Sequence, residues 1–302
     1  VGRLAVARDV GLVAAAAETE LKWTVPEDFE AFPPPREVAT HKGTYGHLAI
    51  IAGSLGYHGA AVLASGGAQR ARPGLLTLFT LEQVYHVVAS QLQAVMVAPF
   101  RAERSPSEFA TAVLAGPGLA APEASAVTKN MIRHLWRDSD MPIVVDASAL
   151  DWLPFGTCPR ETVRVVTPHP GEAGRMIGST AQQVQANRVQ ALRAVSKRFG
   201  DCWVVLKGHE TLVGRSTGEI YMNCSGNPYL AQGGSGDTLS GYIAGLLAQP
   251  ELQDEPARAI RYAVWQHGAT ADHLESTRAN WVVEDLLEAL GTVPCHSTRQ
   301  GG

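Results

Sequence analysis

The chain has 302 residues, 45% hydrophobic and 18% charged, with a formal net charge of −4, the composition of a globular protein able to bury a large core. That charge gives no reason to expect nucleic acid or an anionic membrane as partner, and no apolar run approaches the roughly 20 residues that span a bilayer. Four cysteines (Cys158, Cys202, Cys224 and Cys295) are scattered without a CxxC pair, so neither a zinc site nor a disulfide frame is indicated, and reduced thiols in the cytoplasm are expected.

Residues 1–40 read as an arm or linker. Val1 to Leu21 is rich in alanine and valine, and Pro26 with Pro33-Pro34-Pro35 favours an extended run. A terminal strand and helix packed on the domain is the other reading of residues 1–20. The chain starts at Val1 with neither Met nor a basic-then-apolar signal and reads as a piece of something longer.

From His41 the pattern alternates. Strands are expected at Leu48–Ala52, Leu75–Thr80, Ala112–Ala115, Ile143–Val145, Val163–Thr167 and Trp203–Leu206. A hairpin follows at Thr211–Val213 and Glu219–Met222. Helices are expected at Gly59–Arg72, Ala124–Arg137, Ala181–Phe199, Tyr242–Ala248, Pro256–Leu274 and Val282–Leu290. Short apolar strands alternating with longer helices indicate an α/β fold whose mostly parallel sheet is covered on both faces. The chain has no internal repeat. Gly53-Ser54, Gly116-Pro117-Gly118, Asp146, His169 and Lys207-Gly208 all fall just past strand C-termini, the edge where open α/β sheets bind ligands.

The densest motif is Gly226-Asn-Pro-Tyr-Leu-Ala-Gln-Gly-Gly-Ser-Gly-Asp237, followed by an apolar helical segment. Glycines at a helix start let the backbone approach a ligand, and the free amides with the helix dipole make an anion site. Gly233, Gly234, Ser235 and Gly236 would form that anion hole. No Lys-Ser/Thr pair follows the glycines, so it is not a Walker loop, and it is not the GxGxxG of a first strand. Asp237 at its mouth is either a helix N-cap or a catalytic base. His169 lies between Pro168 and Pro170, which leaves its backbone little freedom; it is a rigid turn or a pre-organised ligand contact. Lys207 is a point charge for phosphate or a solvated strand end. Asp146 would hold a metal or a ribose hydroxyl, or cap the following turn.

Seven segments in order resemble the carbohydrate-kinase-like domain of ADP/ATP-dependent NAD(P)H-hydrate dehydratases, in the ribokinase-like superfamily. They are HKGTYG (41–46), GSLGYHGAAVLA (53–64), GPGL (116–119), VVDASAL (144–150), TPHPGE (167–172), LKGHET (206–211) and GNPYLAQGGSGDTLSG (226–241). The resemblance implies a domain over residues 41–292, followed by a flexible tail at 293–302. It also implies dehydration of (6S)-NADHX or NADPHX to NADH or NADPH, with ADP in bacterial members and ATP in eukaryotic ones, and with Mg²⁺. Carried over by position, Lys207, Gly208, His209, Glu210, Thr211 and Gly236 would hold the adenine nucleotide. Ala60, Gly118, His169 and Asp237 would line the hydrate site, with Asp237 as the base. A metal-ligand set is not implied. A homo-oligomer, a tetramer especially, is expected, and residues 1–40 resemble the end of an epimerase domain fused ahead of this one.

Tyr229, Leu230 and Gln232 depart from the Gly, Met and Thr that many members carry, and Ser148 stands where a second aspartate is frequent. The rival readings are a ribokinase-like kinase of a small alcohol and a catalytically silent nucleotide-binding domain.

Overall fold

The apolar runs become strands of a single ten-stranded sheet in the computed structural model, which describes residues 20–101, 105–119, 125–156, 158 and 162–295. In chain order the elements are β1 (Leu21–Thr24), β2 (His47–Ile51), α1 (His58–Arg70), β3 (Leu75–Thr80), α2 (Tyr85–Ala89), β4 (Met96–Pro99), β5 (Ala112–Ala115), α3 (Ala126–Asp138), β6 (Ile143–Val145) and β7 (Arg164–Val166). They continue with α4 (Pro170–Ile177), α5 (Ala181–Ala186), α6 (Arg188–Arg198), β8 (Trp203–Leu206), β9 (Leu212–Gly214), β10 (Ile220–Asn223), α7 (Ser235–Leu247), α8 (Pro250–Gln253), α9 (Pro256–Thr277) and α10 (Val283–Ala289).

Across the sheet the order is β1-β10-β9-β8-β7-β6-β5-β2-β3-β4. Only β9, among the described strands, runs against both its neighbours, as the first strand of the expected hairpin. The chain builds outward from β2 through β3 to β4, then crosses back to place β5 on the other side of β2. The boundary between β2 and β5 is therefore the topological switch point, where such sheets open a ligand crevice.

Successive side chains point to opposite faces of a strand. Leu48 and Ile50 of β2 join one core with α1, α7 and α9; Ala49 and Ile51 join another with α3, α4 and α6. Each fully buried Leu, Ile or Val there contributes about 1.5–3 kcal/mol. The first face has an unusually close helix pair. A Cβ on Gly67 of α1 would lie 2.2 Å from the Thr238 carbonyl of α7, and one on Gly241 would lie 2.0 Å from the Ala64 carbonyl. Backbone therefore rests on backbone, and α1 fixes the depth of α7.

Some sequence expectations are corrected. Residues 20–32 are not a free arm, because Leu21–Thr24 pair in parallel register with Ile220–Asn223 and Phe29 and Phe32 are buried. Residues 1–19 lie outside the described residues. Edge strands β1 and β4 escape the hydrophobic pattern because each is short and partly exposed. The helix expected over 181–199 breaks at Asn187, whose φ of −145° and ψ of 75° are not helical and whose side chain accepts from the Gln190 amide. Val293 and Cys295, assigned to a flexible tail, pack against the core; residues 296–302 lie outside the described residues.

Candidate active site

The site grows from consecutive strand ends. Past β2, Gly53 donates its amide to the Pro117 carbonyl at 2.9 Å, and Ser54 donates its hydroxyl to the Gly118 carbonyl at 2.7 Å. These bonds tie the loops after β2 and β5 across the switch point. Gly118 has φ +63°, and a Cβ there would stand 2.8 Å from the Ala60 Cβ and 2.4 Å from the Tyr57 carbonyl. Ala60 and Gly118, predicted to line the hydrate site, are thus in contact, and Gly118 must be small because the start of α1 packs on it.

Helix α7 opens on Gly234, which caps it in the left-handed region at φ +93°. A side chain there would be strained and would also meet Leu63 of α1. The helix begins well before the expected Tyr242, so Ser235, Gly236 and Asp237 form its first turn. The Ser235 amide donates to the Gln232 carbonyl at 3.3 Å, which removes it from the predicted anion hole. The amides of Gly236 and Asp237 find no acceptor among the described residues and stay open at the positive end of the dipole.

Asp237 does not cap α7; Gly234 holds that position with no side-chain cap bond. The Asp237 carboxyl is half-buried, and its pKa is pushed up to about 6, first by burial and then by the negative charge of Asp146, with Lys207 opposing. It belongs to a cluster. Lys207, just past β8, donates to Asp146 Oδ1 at 2.8 Å and stands 4.0 Å from Glu172 Oε2; the three side chains are 20%, 2% and 9% exposed. Its Nζ lies 3.3 Å from where a Gly236 Cβ would be. Burial alone would pull the Lys207 ammonium down, but Asp146, Glu172 and Asp237 together hold it above the ordinary lysine range.

His169 serves as the N-cap of α4. Its Nδ1 accepts from the Gly171 amide at 3.0 Å and the Glu172 amide at 3.4 Å, while Glu172 Oε2 accepts from the His169 amide at 2.8 Å. That reciprocal arrangement is a capping box. It puts the proton on Nε2, on a half-exposed ring edge available to a ligand. The Lys207–Thr211 loop turns back into β9. Gly208 takes φ +135° and Glu210 φ +55°, Thr211 Oγ1 donates to the Gly208 carbonyl at 3.0 Å, and His209 stands out in solvent. The structure therefore gathers Asp237, Gly236 and Lys207 in one cluster, whereas His209 and Glu210 lie outside it.

Sequence reasoning undervalued several residues. In the sequence Glu172 stands out only as a helix-start charge, and none of the three roles open to Asp146 makes it a partner for Lys207. From α9, buried His267 donates through Nε2 to the Ser235 carbonyl at 3.1 Å. Asp272 accepts from the Gly226 amide at 2.9 Å and from Asn227 Nδ2 at 3.3 Å. Both hold the glycine loop from behind. Among the described residues no group of three or more His, Cys, Asp or Glu is arranged to hold a metal by itself, and no helix is long and apolar enough to cross a membrane. A depression of about 490 Å³ lined by Thr111, His134, Asp138 and Met141 lies at the opposite ends of the strands, away from this cluster.

A mostly parallel sheet that brings a part-buried ammonium, a carboxyl with no hydrogen bond among the described residues and two open helix amides to one strand-end rim defines an α/β protein with a charged site at the ends of its parallel strands. The family model for NAD(P)H-hydrate dehydratase matches residues 48–291, and the chain belongs to that family. It is 39% identical to the ADP-dependent (S)-NAD(P)H-hydrate dehydratase of Neisseria meningitidis, over 79% of this chain and 80% of that one. It is 34% identical to the enzyme of the same name from Bacillus subtilis, over 83% and 88%. The crystal structure of the ADP/ATP-dependent NAD(P)H-hydrate dehydratase from B. subtilis, co-crystallised with ATP/Mg²⁺, superposes with a TM-score of 0.80 at 32% identity, covering 90% of this chain and 96% of that one. The fold is accordingly ribokinase-like. The chain spans about half the length of bifunctional NAD(P)H-hydrate repair enzymes such as that of Gloeobacter violaceus, at 35% identity.

Proposed function

We propose that the protein dehydrates (6S)-NADHX or NADPHX to NADH or NADPH, consuming ADP and releasing AMP and phosphate. The observation that carries the reading is Asp237, a half-buried carboxyl with no hydrogen bond among the described residues, beside the open Gly236 amide. Hydroxide is a poor leaving group from C6 of the reduced ring, and a phosphate ester is a good one. Asp237 takes the C6 hydroxyl proton as general base. The freed oxygen attacks the terminal phosphorus of the nucleotide, and the bond from that phosphorus to the bridging oxygen breaks. The open amides of the α7 start and the Lys207 ammonium meet the charge on the transferred group. The ring nitrogen lone pair then expels phosphate to leave a C6–N1 iminium, and loss of a C5 proton to the departing phosphate restores the dihydropyridine.

The remaining roles follow the strand-end geometry. Ala60 and Gly118 would line the hydrate, with His169 Nε2 as a donor to it. The turn Lys207 to Thr211, together with Gly236, would hold the nucleotide. Mg²⁺ fits as an ion carried by the phosphate oxygens, since the described residues offer no cage of their own and Mg²⁺ is commonly bound through substrate phosphates. It would supply neutralisation of phosphate charge. The working form would be a cytoplasmic homo-oligomer, a tetramer, checked by light scattering of the purified protein.

The deciding experiment incubates the protein with NADHX and ADP or ATP while following the near-ultraviolet absorbance of reduced nicotinamide. Return of that absorbance with stoichiometric AMP and phosphate is expected from ADP. A stable phosphate ester would instead identify a kinase, and nucleotide binding without turnover a silent domain.

A further inference from the structure

We propose that Asp146 is a positioning residue for this reaction: its carboxylate anchors the Lys207 ammonium against Gly236, at the mouth of the anion site. The inference rests on the function proposed above. Asp146 sits at the N-cap position of the 3-10 turn Ala147–Trp152, where an aspartate ordinarily accepts a backbone amide, yet its side chain makes no cap bond. The following residue, Ala147, takes φ +52°, a conformation that non-glycine residues rarely adopt. The Asp146 carbonyl fits where a Cβ on Gly116 would come within 1.8 Å. The backbone is thus committed to a path that buries the Asp146 carboxylate to 2% exposure and presents it to Lys207 Nζ at 2.8 Å.

Glu172 cannot replace that anchor. Its Oε2 already accepts from the His169 amide and is 4.0 Å from the ammonium. The charges facing Asp237 are Asp146 after β6, Glu172 on α4 and Lys207 after β8. His267 of α9 lies behind at Ser235 and is neutral at physiological pH. One ammonium therefore serves three carboxylates. With Asp146 in place, Lys207 spends one N–H on it and keeps the others for the incoming phosphate. Without that charge, Lys207 is free to pair directly with Asp237, and the base would lose basicity while the cation moves off the line of the transferred phosphoryl group, a loss felt in turnover rather than in ADP binding.

The test is Asp146→Asn, which keeps the shape and removes the charge. The assays are kcat/KM for NADHX against pH and ADP affinity by calorimetry. Expected are a fall in kcat of about 10- to 100-fold, as small misplacements in active sites produce, and an acid limb moved down by about half a pH unit or more. ADP affinity should be undiminished, because the site has become less negative. A double-mutant cycle with Lys207→Met separates anchoring from general damage: in that background Asp146→Asn should cost less than about threefold more. An unchanged kcat and acid limb in Asp146→Asn, or full additivity in the cycle, would overturn the inference. If Asp146→Asn does not fold, Lys207→Met alone decides: its acid limb must move up, and an unmoved limb overturns the geometry. Wild-type protein inactive on NADHX with both nucleotides would reject the proposed function instead. In that event the undiminished or tighter ADP affinity of Asp146→Asn still reports on the anchor, and weakened affinity overturns it.

Discussion

A carboxyl buried beside two others at the start of a helix resists its own ionisation. For Asp237 burial is the larger cause, Asp146 adds to it, and Lys207 offsets part, leaving a pKa of about 6. An acid whose folded pKa lies above its unfolded value contributes stability that is fully present below about 3.8 and is lost as pH rises through about 6. Asp237→Asn should therefore stabilise the protein at pH 7.5 by about 1–3 kcal/mol, measured by denaturant unfolding, while turnover falls about 10²- to 10⁴-fold. Loss of stability in that variant, or near-normal turnover, would remove Asp237 as the strained base. For the wild type, kcat/KM should fall on the acid side around pH 6, since the proposed role of Asp237 requires its ionised form. His267 behaves oppositely: burial lowers its pKa to about 4. Its neutral form is stabilising above about 6.5, and that contribution is lost as pH falls from there through about 4. The stability difference between wild type and His267→Gln should shrink over that window.

Those residues act together because α7 is held at a fixed depth by α1. The contact at Gly67, 2.2 Å from the Thr238 carbonyl for an added Cβ, leaves no room for a methyl group. Gly67→Ala should cost about 1–3 kcal/mol through overpacking and lower turnover with it, because Thr238 adjoins Asp237, the proposed base. Gly59 on the same helix has open space around an added Cβ, so Gly59→Ala should cost nothing or add about 0.5–1 kcal/mol. Equal losses in the two unfolding curves would defeat this account of the helix pair. The same packing explains what the sequence could and could not convey. The apolar strands and the unusual residues at their ends are legible locally, since burial on both faces demands continuous Val, Ile and Leu. The true start of α7 is not, because three glycines lower helix propensity and only contact with α1 overrides them. The pairing of Asp146 with Lys207 spans 61 positions and leaves no local trace.

At the scale of the whole molecule, the segment ahead of the family-matched region completes the fold. Phe29 is fully buried, with ring centroids 5.4 Å from Tyr262 and 5.5 Å from Trp265. Arg261 of α9 pairs with Asp28 and stacks over Tyr221 of β10 at 3.7 Å. Arg258 donates to the Asp28 carbonyl at 3.2 Å. Residues 21–32 therefore close the β10 edge of the sheet and cover the outer face of α9, the helix that supports Ser235 through His267 and the glycine loop through Asp272. Phe29→Ala should destabilise the protein by about 3–5 kcal/mol, the usual result of emptying a buried aromatic site. Its ring contacts are with Tyr262 and Trp265 and with no strand-end residue, so the folded fraction should bind ADP with unchanged affinity. Denaturant unfolding and calorimetry on the same sample check both halves. Little loss of stability would return the segment to the status of a linker, and weakened ADP binding by folded protein would mean that α9 transmits the change to the site.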